Sequence, residues 1–285
     1  MKTTVKTISL KMIILFSVAA MMLAAGVALA DTLVDRGLPT ANLNNAAGAN
    51  RSNVSCAEPT SNIFDGDTFT VQGTQTWKVD TISLWVVGED ANNNSNLTDD
   101  AYLGDTYNNL SLYVGTGGNL TRVSLASFMS GTDTTSNPNV VGTRVQYNNG
   151  AGTELDYQGS SGHYWTIVQL DFNNLNLYFA PGTTVQFGMY AAGGDLTYTH
   201  ASDAALSGST QDQADGLFSR FVLDSPTAAH FLDAQNGQAL WGKPTDINVQ
   251  VLGSVVPEPG TLTLLTLAGL SGLAMMWIRR RRLSG

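Results

Sequence analysis

Trp77-Lys78-Val79-Asp80-Thr81-Ile82-Ser83-Leu84-Trp85-Val86 is the stretch whose reading decides the fold class. Side chains alternate across a strand, so Trp77, Val79 and Thr81 fall on one face and Ile82, Leu84 and Val86 on the other. A strand that is apolar on both sides belongs in the middle of a layered structure, not at its edge. Outward from it, segments rich in Val, Ile, Thr, Tyr and Trp recur at short intervals, at 67–72, 75–87, 110–114, 140–147, 164–172, 185–190 and 247–252. Gly, Asn, Asp and Ser separate them, and helical periodicity is almost absent. The expectation is an all-β chain, an antiparallel β-sandwich of jelly-roll type over 61–255. Residues 31–60 are small, polar and turn-rich, and read as an N-terminal strap laid on the sandwich. Two long loops are expected, at 88–105 and 193–216.

Composition narrows the function classes. Charged residues make up 13% of the 285, about half the usual share for a globular chain. Between residues 31 and 255 there are seven basic residues (Arg36, Arg51, Lys78, Arg122, Arg144, Arg220, Lys243) against 22 acids, a balance of −15. Nucleic acid as a partner is disfavoured, because phosphate binding needs basic surface. The single cysteine, Cys56, excludes an intramolecular disulfide framework and a cysteine-based metal site, and reads as a buried thiol.

Both ends carry membrane signals. Lys2, Lys6 and Lys11 precede an uncharged apolar run over 12–27, and Ala28-Leu29-Ala30 forms a small-x-small site before Asp31. Residues 1–30 therefore read as a signal peptide cleaved after Ala30. At the other end, residues 261–278 are 18 in a row without a charge, the lower limit for crossing about 30 Å of hydrocarbon. Trp277 lies near the end of the span, and Arg279, Arg280, Arg281 and Arg282 follow at once. Four arginines favour the cytoplasmic side, so the main domain is expected outside, in agreement with the signal peptide.

Before that span stands Val256-Pro257-Glu258-Pro259-Gly260, whose two prolines hold a short, extended segment. Pro-Glu-Pro, one hydrophobic span and a terminal arginine cluster together resemble the PEP-CTERM sorting signal of Gram-negative bacteria, here over 256–285. The resemblance implies recognition by an exosortase, an integral-membrane cysteine transpeptidase or protease. It also implies removal of the tail, passage to the outer surface, and association with exopolysaccharide and biofilm matrix. Val256, Pro257, Glu258, Pro259 and Arg279 to Arg282 are the residues that carry it. The middle of the chain resembles exported β-sandwich domains, including carbohydrate-binding modules, through Asp65-Gly66-Asp67-Thr68-Phe69 and Leu112-Tyr113-Val114-Gly115.

The middle of the chain offers three kinds of candidate site. Asp65 and Asp67 offer two carboxylates around what reads as a tight turn, either a structural calcium site or a solvated loop. Glu89-Asp90 and Asp99-Asp100, around the asparagines of 92–96, offer the same two readings. For sugar stacking, Trp85, Trp165, Trp241 and Tyr164 are available. Trp85 and Trp165 lie in apolar runs that suit a core, whereas Tyr102 and Tyr107 lie in the long acidic loop and suit exposure. For catalysis, His163, His200 and His230 are far apart, and neither Gly-x-Ser-x-Gly nor His-Glu-x-x-His occurs. The expectation is a non-catalytic surface or matrix protein. The alternatives are a polysaccharide-modifying enzyme and a self-associating surface subunit.

Overall fold

The computed structural model describes residues 30–37, 51–55, 62–89, 109–132, 134–145, 156–158, 164–192, 197–203, 212–236 and 245–256, with 269, 271–272 and 279. Among them lie sixteen strands, all paired antiparallel, in two layers. The fold is all-β.

The larger layer is an open sheet built around β4 (Thr76–Glu89). Along one edge β4 pairs with β16 (Val249–Val256) and then with β12 (Thr197–Asp203). Along the other it pairs with β10 (Leu177–Phe179) and then with β9 (Tyr164–Phe172). Outside these, β1 (Asp31–Arg36) joins β16, while β2 (Arg51–Ser55) and β15 (Thr245–Ile247) join β12. β7 (Val140–Arg144) and β8 (Asp156–Gln158) join β9. The stretch from Trp77 to Val86 is thus central in the sheet. Residues 31–36 and 51–55, inside the expected strap, are strands of this sheet, and the expected loop at 193–216 contains β12.

The faces of β4 differ from simple alternation. Val79 lies opposite Gly253 and Thr81 opposite Leu252, so Asp80 is an extra residue, a β-bulge. The bulge resets the alternation. Trp77 and Val79 therefore share one face with Ile82, Leu84 and Val86, and all five join the core between the layers.

The smaller layer closes into a six-stranded barrel. Around the ring run β3 (Ile63–Thr70), β11 (Thr184–Ala192), β5 (Asn109–Thr116), β6 (Asn119–Ser127), β14 (Ala228–Asn236) and β13 (Leu217–Ser225). Gly117 and Gly118, at φ 61° and 85°, form the two-residue turn between β5 and β6. Two successive positive φ values are what a tight hairpin needs to match strand twist, and glycine adopts them without strain.

Two cores follow from the barrel's two surfaces. Outward-facing Phe69, Leu112, Val114, Val185, Phe187 and Met189 pack against β4, β9 and β16 of the sheet. Phe69 bridges the layers, with ring centroids 6.4 Å from Trp77 and 6.1 Å from Phe187. Inward-facing Phe64, Tyr113, Leu120, Phe221 and Ala229 make a second, aromatic core along the barrel axis.

Candidate functional site

The barrel axis is filled at one level and open at another, and the sequence of the inward positions explains both. Phe64 occupies the axis because Gly188 beside it has no side chain; a Cβ there would lie 2.8 Å from the Phe64 ring. The Phe64 ring then meets Tyr113 at 5.2 Å, Phe221 at 5.4 Å and the edge of Tyr190 at 5.9 Å. Offset and edge-on rings of this kind favour one packed arrangement. Toward the start of β5 the inward residues change character, from Tyr113 to Ser111 and Asn109.

A second bulge supplies the opposite wall. Tyr113 faces Arg122 and Leu112 faces Ser124, which makes Val123 the extra residue of β6. Arg122 and Leu125, three apart, consequently both line the interior. β14 pairs with β6 only through residues 228–230, followed by one bond from Arg122 N to Thr227 O at 3.0 Å. Past that point β6 runs on beyond the 226–227 turn. The result is a cavity of about 430 Å³, within the range of small-ligand sites.

Its chemistry is mixed. Tyr190, Leu125, Leu223 and Pro226 give apolar walls, and Asn62, Asn109 and Ser111 give polar ones. Tyr113 donates its hydroxyl to Pro226 O at 2.8 Å, and burial pushes its phenol pKa up despite the nearby Arg122 charge, so it remains a neutral donor. Asn109 Oδ1 accepts from Ser127 Oγ. Asp224 Oδ1 lies 2.8 Å from His230 Nδ1. Among the described residues, the Arg122 guanidinium makes no ion pair. Glycoside hydrolysis requires two carboxylates flanking the bond, and Asp224 is the single carboxylate among the described residues that line this space. The arrangement suits holding a small polar ligand.

Asp65 and Asp67 lie elsewhere. They sit within β3, not on a turn, and face the layer boundary with Phe69. Asp67 Oδ2 accepts from Arg36 Nη1 at 3.3 Å and from Ile247 N at 2.9 Å, and Oδ1 accepts from Thr68 N at 2.7 Å. Arg36 Nη1 also reaches Asp246 Oδ1 at 3.3 Å, and its Nη2 donates to Thr68 O at 2.8 Å. Asp246 accepts from the amides of Asp215 and Gly216 at 2.8 and 2.9 Å. Next to it, Asn248 Nδ2 donates to Arg36 O and Gly37 O, both at 2.9 Å, and Asn248 Oδ1 lies 2.7 Å from His200 Nδ1. One cation and two carboxylates are thus buried where β1, β3 and β15 meet. A calcium ion at Asp65 and Asp67 would have to displace Arg36 from Asp67.

Trp85 is buried on β4. His230 pairs with Asp224 on the barrel, while His200 belongs to the buried cluster, so these two are not brought together. Tyr102, Tyr107, Cys56, Trp241 and His163 lie outside the described residues, as do Ala28, Pro257, Glu258, Pro259 and Arg280 to Arg282. Ala30 is exposed just ahead of β1, Val256 ends β16, and Arg279 is exposed. No helix among the described residues is long and apolar enough to cross a membrane. Arg122 and Tyr190, which the sequence reading did not single out, line the cavity. The available signal was Arg122 itself, one of seven basic residues in 31–255, set in the strand-like run Leu120-Thr121-Arg122-Val123.

Fold and site together define a class: an all-β protein of two antiparallel layers whose barrel has a polar, open mouth. No family model, no curated protein and no solved structure matches the chain.

Proposed function

We propose that this chain is an exported, non-catalytic protein of the cell surface or extracellular matrix, sorted by an exosortase and associated with exopolysaccharide. The observation that carries the reading is the ordered C-terminal pattern of Pro257-Glu258-Pro259, an uncharged span and Arg279 to Arg282. The limits of the fold support it. β1 starts at Asp31, directly after the Ala28-Leu29-Ala30 site, and β16 ends at Val256, directly before Pro257. These two strands are partners, with Asp31 opposite Gly253. The points where this reading places the two cuts therefore lie at the same end of the sheet. In this reading a signal-peptide helix and a membrane-spanning helix flank the domain, which travels from the periplasm to the surface. In this reading the two layers are a variant of the jelly roll, supported by the pairing of strands far apart in sequence, as β4 with β9, β12 and β16. Asp224 is the single carboxylate at the barrel mouth among the described residues, which favours binding over polysaccharide cleavage.

Replacing Pro257, Glu258 and Pro259 by alanine tests the sorting step. The expected outcome is accumulation of the full-length chain in the inner membrane, with the surface fraction reduced at least about tenfold, read by fractionation and immunoblot. Wild-type release of that variant refutes sorting through this signal.

A further inference from the structure

We propose that the open mouth of the barrel binds a carboxylated sugar residue, such as a hexuronate unit, with Arg122 as the partner of its carboxylate. It deepens the preceding reading and takes from it only that the ligand is met outside the cell. Three features converge. The first is charge. Arg122 is placed at the cavity by the Val123 bulge and is held there by its backbone bond to Thr227, and among the described residues no carboxylate neutralises it. Asp224, on the same rim, is turned to His230 at 2.8 Å. A guanidinium presents paired donors that match one carboxylate. One cation beside one carboxylate suits a monoanion better than a phosphate or pyrophosphate.

The second feature is the wall. Tyr190 is half-buried and its ring is pinned edge-on against Phe64 at 5.9 Å, which leaves a fixed aromatic surface beside the cavity. The C–H faces of a pyranose stack on such a surface. The third is the spread of neutral polar groups. Asn62, held at φ 55°, Ser111 and Asn109 lie around the same space and offer donors and acceptors for ring hydroxyls. A purely apolar ligand would make no use of these polar groups. A bare small anion would leave Tyr190 unused.

The test is calorimetric and NMR titration of the full-length chain in non-ionic detergent with glucuronate, galacturonate, glucose and acetate. Saturable binding of a uronate is expected, at least about tenfold tighter than glucose or acetate, together with a rise in Tm. Arg122→Gln should weaken uronate binding by about ten- to a hundredfold, the size of a charge-assisted contact, while the Tm of the free protein stays close to wild type. Arg122→Lys, which keeps the charge, should retain part of the affinity. Tyr190→Ser should weaken uronate and glucose alike. Equal affinity for glucose and glucuronate, equal affinity for acetate and glucuronate, or full uronate binding by Arg122→Gln would each overturn the proposal. Binding is read without the tail being processed, so failure of the sorting reading and failure of this one are distinguishable.

Discussion

Arg36→Met is expected to destabilise the domain by about 3–5 kcal/mol, the loss typical of removing one partner from a buried ion pair. Arg36 is 1% exposed and serves both layers at once. From β1 it donates to Asp67 and to Thr68 O on the barrel, and to Asp246 on β15. Methionine replaces much of the side-chain volume but none of the charge. Two carboxylates then stay buried with no cation beside them. For a domain of this size the loss corresponds to a Tm drop on the order of 10 °C, measurable by thermal or urea melts. A change below about 1 kcal/mol would mean that packing, not charge, holds the junction. Removing the carboxylates as well is no simple rescue, because Asp246 also holds the amides of Asp215 and Gly216.

The same cluster sets a pH dependence. Burial pushes the Asp67 carboxyl from its ordinary 3.8 up to about 7, with Arg36 opposing the rise and Asp246 adding to it. Asp246 is raised as well, again chiefly by burial and against its amide donors and Arg36. Burial is the main cause, because it disfavours the charged carboxylate; that two carboxylates face one guanidinium among the described residues adds to it for Asp67. A carboxyl with a raised folded pKa binds its proton more tightly folded than unfolded. Its contribution to stability is therefore full below the unfolded value and is lost as pH rises through the folded one. Stability should rise as pH is lowered from about 8 to about 5, by about 3 kcal/mol, or on the order of 5–10 °C in Tm. Asp67→Asn should flatten most of that slope, because the amide is neutral throughout. A Tm that falls over the same interval, or a slope unchanged in Asp67→Asn, would contradict the assignment.

How far the sequence announced this structure differs from element to element. Residues 164–172 were legible as a strand because β-branched, aromatic and apolar residues run together there, and β9 spans the same residues. The central place of β4 was legible from its apolar content. Its faces were not, since a bulge is one extra residue and nothing about Asp80 marks it out. Asp65-Gly66-Asp67 looked like a turn because its composition is that of a turn. Partners remote in sequence override this: Arg220 and Asp65 are opposed across β13 and β3, and Arg36 takes Asp67. β13 and β14 are not legible as strands because polar residues interrupt both. The buried cluster was hidden for a related reason. Arg36 and Asp246 are 210 residues apart and belong to types that normally stay at the surface. The cavity depended on barrel closure and on the Val123 bulge, both set by long-range register.

The central claim is that this domain is exported and cut free of both membrane segments. The most direct measurement is the intact mass, with terminal sequencing, of the protein recovered from outside the producing cells. The expected species begins at Asp31, ends near the Pro257-Glu258-Pro259 segment and lacks Arg279 to Arg282. An extracellular species that still carries those arginines, or a chain confined to the cytoplasm with Met1 in place, would contradict it.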